Sequence, residues 1–266
     1  MSVYCCSDFH GVYSLYEQVT NLLKPEDKVY ILGDCGDRGP DGWKTITAVY
    51  NNPQMIYLMG NHEDMLTKAM IDYINLSAED KTKYPILSSY GLVRCNGGKD
   101  TFESWRELPL YEQINWFTKL IHLPTHFTYL NKKHQKIELT HAGYTPHIKQ
   151  TLWNDMLLWD RDHFNDDWDE DYPDTIIVHG HTICCTLPDY IYDFYYDKDT
   201  FYRDPKIVKY CGGHKIDIDL GSAFTGKAAL LNLDTLEATY VYDKDINEQY
   251  VKDIDACEYC PRMYWR

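Results

Sequence analysis

The sequence predicts an α/β fold with a chemical site at one sheet edge, and three segments within the first 63 residues carry that prediction. They are Asp8-Phe9-His10-Gly11, Gly33-Asp34-Cys35-Gly36-Asp37-Arg38-Gly39 and Gly60-Asn61-His62-Glu63. Each closes a β-like run, over residues 3–7, 28–32 and 54–59, and each precedes a helix-like stretch. Open α/β sheets build their sites where strand gives way to helix. Spacing is the second observation. Asp8 and Asp34 are 26 residues apart and Asp34 and Asn61 are 27 apart, about the length of one βαβ unit. Two consecutive crossovers would carry all three loops to the same edge.

The elements that follow differ in character. Residues 63–121 read as a helical insertion, with helices expected over 64–74, 80–92 and 101–120 from apolar residues spaced three and four apart, and with Gly97-Gly98 as a break. Pro85 and Pro109 interrupt the second and third of these. Such an insertion would flank the site as a substrate-selecting wall. Farther on, Leu139-Thr140-His141-Ala142-Gly143 and Ile177-Val178-His179-Gly180-His181-Thr182 repeat the opening pattern, an apolar or β-branched run ending at histidine and glycine. Glycine there lets the backbone turn sharply. Residues 165–171 form an acidic run between Arg161 and the Gly180 loop, which would favour basic substrate flanks if it lined the cleft. A tyrosine-rich stretch with Tyr190, Tyr192, Tyr195, Tyr196, Tyr202 and Tyr210 reads as a strand-rich edge.

The side chains in these loops have the chemistry of a two-metal site. Asp8 and His10 alternate at a strand end and offer one ion a carboxylate and an imidazole. Asp34 has two oxygens and can bridge to a second ion, for which Asn61 adds a neutral oxygen. His141 and His181 are the best downstream candidates for further ligands. Carboxylate, imidazole and amide together suit manganese, iron or zinc better than a calcium cage of oxygens or a thiolate-rich structural zinc.

These segments resemble the phosphoprotein phosphatase family of calcineurin-like metallophosphoesterases, most closely its compact bacterial and phage serine/threonine phosphatase branch. The motifs D-x-H-G, G-D-x-x-D-R-G, G-N-H-E, H-A-G and G-H-T occur here in the family's order. Leu157-Leu158-Trp159-Asp160-Arg161 resembles its arginine-bearing segment. Asn96-Gly97-Gly98 with Thr101 resembles the bacterial branch, and Ile216-Asp217-Ile218-Asp219-Leu220-Gly221 with Gly226-Lys227 resembles its closing strands. The resemblance covers about residues 1–243. It implies a four-layer α/β sandwich, two mixed β-sheets flanked by helices, as a catalytic domain over 1–243, with 244–266 left as a C-terminal extension.

Residue by residue, the resemblance implies Asp8, His10 and Asp34 on a first metal and Asp34, Asn61, His141 and His181 on a second. It places Arg38, Arg161 and Asn61 on the phosphate, and His62 as general acid held by Asp37. The cofactor expected is two divalent ions, manganese first, with iron and zinc as alternatives. Two cations would polarise the phosphoryl oxygens and bring the pKa of a bridging water toward about 7, so that hydroxide attacks in line without a covalent phosphoenzyme. Arginine adds planar bidentate hydrogen bonds to the equatorial oxygens. The expected substrate is a phosphoserine or phosphothreonine protein, with tolerance for phosphotyrosine. The alternative is a symmetrical bis(5'-nucleosyl)-tetraphosphate hydrolase, and a second alternative is an inactive phosphoprotein-binding module, against which intact Asp37, Arg38 and His62 argue. Arg161 also reads as half of a surface ion pair with Asp160. His179 reads as a core residue, and His147, His163 and His214 lack motif context.

Composition sets the remaining bounds. A chain of 266 residues without a Pro/Gly/Ser-rich linker can bury one large core and is expected to form one domain. Its net charge of −15 argues against a nucleic-acid backbone or an anionic membrane as partner. It has no run of about 18 apolar residues and no charged-then-apolar leader, which leads us to expect a soluble cytoplasmic protein. Nothing in the pattern indicates an oligomeric state. The nine cysteines are odd in number and sit on strands and in the Asp34 loop, so reduced thiols are expected. Cys257 and Cys260 have the spacing of a zinc half-site without a companion pair.

Overall fold

In a computed structural model, which describes residues 1–77, 79–81, 88–144, 153–165, 172–187 and 204–249, the first sheet is built from the two crossovers that the loop spacing predicts. Strand β1 (Val3–Cys6) leads through α1 (Tyr13–Leu22) to β2 (Lys28–Ile31), and α2 (Gly42–Asn51) leads on to β3 (Met55–Tyr57). The three strands are parallel, with Val3 opposite Lys28 and Val29 opposite Met55. Helices α3 (Asn61–Ile74), α4 (Ser88–Cys95), α5 (Lys99–Arg106) and α6 (Leu110–Ile121) follow. The second sheet takes β4 (His126–Leu130), β5 (Lys136–Thr140), β6 (Thr175–His179), β7 (Val208–Tyr210) and β8 (Lys215–Asp217), with α7 (Trp153–Trp159) between β5 and β6. After α8 (Ser222–Thr225), strands β9 (Lys227–Asn232) and β10 (Ala238–Tyr242) return to the first sheet. The strand orders are β10-β9-β1-β2-β3 and β4-β5-β6-β8-β7. Both sheets mix parallel with antiparallel pairs.

The alternation of side chains along a strand gives each sheet two buried faces. Val3 and Cys5 point from β1 into the core between the sheets, where Ile137, Leu139, Ile176, Val178 and Ile216 meet them. Cys6, Val29 and Ile31 point the other way, onto Leu15, Val19, Ile46 and Val49 of α1 and α2. The four-layer α/β sandwich expected from the sequence is therefore the observed fold. Among the described residues, no helix is long and apolar enough to cross a membrane.

The helical region departs from expectation in two ways. The helix expected over 101–120 is two helices, α5 and α6, broken ahead of Pro109, which N-caps α6. The Gln113 amide of α6 donates to Arg106 O (2.7 Å) and Leu108 O (2.8 Å), satisfying carbonyls that the break exposes. Helix α4 spans Ser88–Cys95 and so runs past the expected end at Leu92, while residues 82–87 of the helix expected over 80–92 lie outside the described residues. Phe102 and Trp105 of α5 are wholly buried against Tyr73 of α3, which pins this layer beside the Asp34 loop. Cys5, Cys6 and Cys35 are buried thiols. His147, the acidic run from Asp166 to Asp171, the tyrosines from Tyr190 to Tyr202, and Cys257 with Cys260 lie outside the described residues.

Candidate metal centre

Backbone hydrogen bonds lace the loop after β1 to the loop after β2, and the loop after β6 to the loop after β5. Asp8 N–H donates to Gly33 O (3.2 Å), His10 N–H to Asp34 O (2.9 Å), Gly11 N–H to Cys35 O (2.8 Å) and Gly180 N–H to His141 O (2.8 Å). To make these turns Asp8 (φ 54°), His10 (φ 44°), Asp34 (φ 53°), Asp37 (φ 68°), Arg38 (φ 61°) and His181 (φ 70°) all adopt the left-handed region. Side chains other than glycine resist that region at a cost of order 1–2 kcal/mol each. Two glycines make the close approach possible. A Cβ on Gly33 (φ +93°) would lie 2.5 Å from Gly60 Cα, and one on Gly180 would lie 2.1 Å from Asp8 Oδ2.

The turns converge six buried side chains. Asp8 Oδ2 accepts from the Ser7 hydroxyl and from His181 N–H (3.2 Å), which leaves Oδ1 buried without a hydrogen-bond partner and 3.8 Å from His10 Nε2. His10 Nδ1 lies 3.1 Å from Gly36 O. A carbonyl can only accept, so Nδ1 carries the proton and Nε2 keeps its lone pair, 3.6 Å from Asp34 Oδ2. His141 is held in the same tautomer by Leu32 O (2.7 Å). Its Nε2 faces Asn61 Oδ1 at 2.8 Å and Asp34 Oδ1 at 3.4 Å. His181 Nδ1 lies 3.0 Å from the same Asn61 oxygen, and its Nε2 is buried without a partner. The donor atoms of His10, Asp34 and His62 form one group within 4.8 Å, and those of Asp34, His141 and His181 form another. Asp34 belongs to both.

This donor set fits two divalent ions. Lone pairs face lone pairs at Asn61, Asp34 and His141, an arrangement that needs a cation or extra protons between them, and Asp8 Oδ1 and His181 Nε2 lack any other partner. Burial holds His10 and His181 below the ordinary imidazole range, reinforced by Arg38 and by His141 respectively, so both are neutral rings of the kind that ligate. Burial works against the Asp34 carboxylate, yet His141 and His62 outweigh it and hold Asp34 well below the usual range. The same attraction, opposed by burial, lifts His141 to about 9. Asp8 is pushed up by burial and by the charge of Asp219.

Arg38, His62 and Asp37 sit over this cluster. Arg38 donates from Nη1 to His10 Nε2 (2.8 Å), and its Nη2 lies 3.1 Å from His62 Nε2. His62 Nδ1 is 2.7 Å from Asp37 Oδ2. Burial alone would lower His62, but Asp34 and the bond to Asp37 raise it above the ordinary imidazole value. Asp37 is itself seated by α5, where Thr101 Oγ1 accepts its backbone N–H (3.0 Å). Arg161 stands at the rim, exposed, with Nε donating to Thr182 Oγ1 (3.2 Å) beside His181. Asp160 turns to His163 (3.4 Å) and to the backbone N–H groups of Asp162 and His163 instead. His179 is a core residue, bonded to the Tyr210 hydroxyl (2.7 Å). His214 bonds Thr175 O (2.9 Å), and His163 packs against Phe164 and His179.

Two residues carry weight here that sequence reasoning left without a role. Glu63 is buried, and its carboxylate accepts the backbone N–H groups of Asp34 (2.8 Å), Cys35 (3.0 Å) and Gly60 (3.0 Å) and the Tyr57 hydroxyl (2.7 Å). One side chain thereby ties the second loop to the third. A glutamate two residues after Asn61 was the available signal, but its partners are distant in sequence. Asp219 is buried beneath the site, with Oδ1 accepting Gly221 N–H (2.7 Å). Burial lifts it to about 6 against the pull of Gly221 and Arg38.

Known proteins resemble this chain in sequence and in fold. The profile of the calcineurin-like phosphoesterase family matches residues 1–215. A symmetrical bis(5'-nucleosyl)-tetraphosphatase of Wigglesworthia glossinidia brevipalpis is 33% identical over 85 residues, 30% of this chain and 31% of that protein. The enzyme of the same name from Buchnera aphidicola subsp. Acyrthosiphon pisum (strain 5A) is 26% identical over 151 residues, 55% of this chain and 46% of that protein. The chain thus spans less than half the length of the curated relatives it matches. A crystal structure provisionally assigned as a diadenosine tetraphosphatase superposes with a TM-score of 0.56 at 14% identity, covering 90% of this chain and 92% of that one, a likeness of fold.

Proposed function

This chain belongs to the calcineurin-like phosphoesterase family, a family of metal-dependent hydrolases, and from that premise we propose that it cleaves phosphate monoesters at a centre of two divalent ions. Asp8, His10 and Asp34 would hold one ion and Asp34, Asn61, His141 and His181 the other. The observation that carries the reading is Asp34, shared between two donor groups, with the partnerless Asp8 Oδ1 and His181 Nε2 on either side. When bound, two such ions supply Lewis acidity at the phosphoryl oxygens and make water more acidic. The chain's own groups do the rest. Arg38 and Arg161 grip the equatorial oxygens, Asn61 adds a hydrogen bond, and His62, kept protonated by Asp37, passes a proton to the departing oxygen, a contribution of about 10²–10⁴-fold.

The substrate we infer is a phosphoserine or phosphothreonine protein with phosphotyrosine tolerated, in keeping with the bacterial and phage phosphatase motifs and with a rim of two arginines, which matches one phosphoryl group. Manganese is the metal we expect, and the net charge of −15 disfavours nucleic acid and anionic membrane as partners. A second reading has a specific observation behind it. The curated relatives are named as symmetrical bis(5'-nucleosyl)-tetraphosphatases, so a dinucleoside tetraphosphate is the competing substrate. Chelator treatment should abolish hydrolysis of a phosphoserine peptide and manganese should restore it. A higher kcat/KM for diadenosine tetraphosphate than for any phosphopeptide selects the second reading. Turnover that survives assayed removal of metal rejects both.

A further inference from the structure

Strand β3 lies at the edge of the first sheet. Toward β2, Gln54 O accepts Val29 N–H (2.9 Å) and Leu58 N–H donates to Ile31 O (2.8 Å). Backbone groups alternate in direction along a strand, so those of Met55, Tyr57 and Met59 point away from the sheet. Two of these outward groups are closed off, because Met55 N–H donates to Asn52 O (3.0 Å) and Met59 N–H to Pro124 O (2.8 Å). Between them, Met55 O and both the N–H and the C=O of Tyr57 have no hydrogen-bond partner among the described residues. A cavity of about 440 Å³ fronts this stretch, walled by Tyr50 from α2 and by Thr118, Lys119 and His122 at the end of α6. The Lys119 ammonium is held over the rings of Trp116 (4.1 Å to the centroid) and Tyr50 (4.9 Å), and no carboxylate pairs with it among the described residues.

We propose that this edge is a docking site for an extended peptide segment of a partner protein that carries an aspartate or glutamate. The segment adds to β3 as a further strand and sets its carboxylate on Lys119. Acceptor, donor and acceptor follow one another at Met55 and Tyr57 as they do on any strand facing a neighbour, so the backbone of an extended chain meets all three at once. A small anion of the same charge would use Lys119 and leave those backbone groups unbonded. Main-chain bonds do not read sequence, and side chains do. Here the wall offers a cation on an aromatic shelf, which selects a carboxylate by a charge-assisted hydrogen bond. The cavity shares no residue with the metal centre, and docking there is independent of phosphate chemistry.

Calorimetry and hydrogen exchange on the full-length, manganese-loaded protein test the site with capped hexapeptides of alternating valine and threonine. One threonine is replaced by glutamate, glutamine or lysine. At about 1 mM the glutamate peptide should bind, and the segment 54–59 should lose one fast-exchanging amide, that of Tyr57. Glutamate should bind about three- to tenfold more tightly than glutamine, the worth of one partly exposed charged hydrogen bond, and lysine should bind most weakly. Lys119→Met should erase that preference while the glutamine peptide keeps its affinity. Methylating the peptide nitrogens that face β3 should abolish binding without any change to the protein. Silence of every peptide at that concentration overturns the proposal, as does equal affinity for the three side chains or binding with exchange at Tyr57 unchanged. A Tyr57 amide protected in the free protein and released on dilution also overturns it, and marks a second copy of this chain as the occupant.

Discussion

Asp8, His10, Asp34, Asp37, Arg38 and His181 occupy a backbone region that glycine would fill with less strain, so the side chains themselves account for their presence there. Strain of this kind persists where surrounding bonds over-determine it, and Glu63 is the largest single contributor of such bonds. In Glu63→Gln the amide nitrogen must face one of the donors that now share two carboxylate oxygens. Manganese affinity measured by titration should fall roughly ten- to a hundredfold, the usual consequence of losing a group that orients a ligand. An unchanged affinity accompanied only by a lower melting temperature would reduce Glu63 to a scaffold role. His62 supplies a pH prediction. Its raised pKa keeps the proton-donating form populated above the free imidazole value of about 6.5, so kcat should decline only as pH rises through that higher value. Asp37→Asn, a residue type that tolerates left-handed backbone, removes part of the attraction. The alkaline limb should then move to lower pH, and a limb that stays in place disconnects Asp37 from His62.

At the level of elements, β1, β2, β5 and β6 end at the site, where the loops that follow them bond to one another. The second sheet shows how far a single buried charge can stabilise such an arrangement. Glu138 on β5 is wholly buried, and its carboxylate accepts from His126 (2.7 Å) and Thr128 (2.7 Å) on β4 and pairs with Lys136. Burial opposes the charge, but these partners press its pKa down to about 2. A carboxyl depressed in the folded state contributes stability above its unfolded value of about 4.3, and loses that contribution as pH falls toward about 2. Denaturant midpoints of metal-free wild type and Glu138→Gln should therefore differ most above pH 5 and converge in acid. Parallel curves across that range would contradict the assignment.

For the whole molecule the consequence is linkage between metal and fold. The centre joins β1 and β2 of one sheet to β5 and β6 of the other, so ions that bind only the folded chain stabilise the sandwich as a unit. Each ion at a hundred times its dissociation constant adds about 2.7 kcal/mol. In a domain of this size that raises the melting temperature by several degrees. Scanning calorimetry should show a higher melting temperature with saturating manganese than after chelation. Equal values would mean that Asp8, Asp34 and the histidines do not bind metal in the folded state.

What the sequence determined by itself is local. Strand, turn and helix within one βαβ unit follow from apolar runs and from glycine beside the turning residue, so the loops holding Asp8, Asp34, Asn61, His141 and His181 could be marked before any fold was known, and the 26–27-residue spacing implied a shared edge. Tertiary structure alone decided what depends on contact between distant segments. The Glu63 carboxylate bridging Asp34, Cys35 and Gly60, the burial of Asp219 beneath the centre, the break before Pro109 repaired by Gln113, and the placement of Lys119 beside the edge of β3 all join residues by packing. A one-dimensional pattern records which groups can bond and how far apart they lie along the chain. Which of them meet is settled by burial of the two apolar faces of each sheet, a property of the assembled layers.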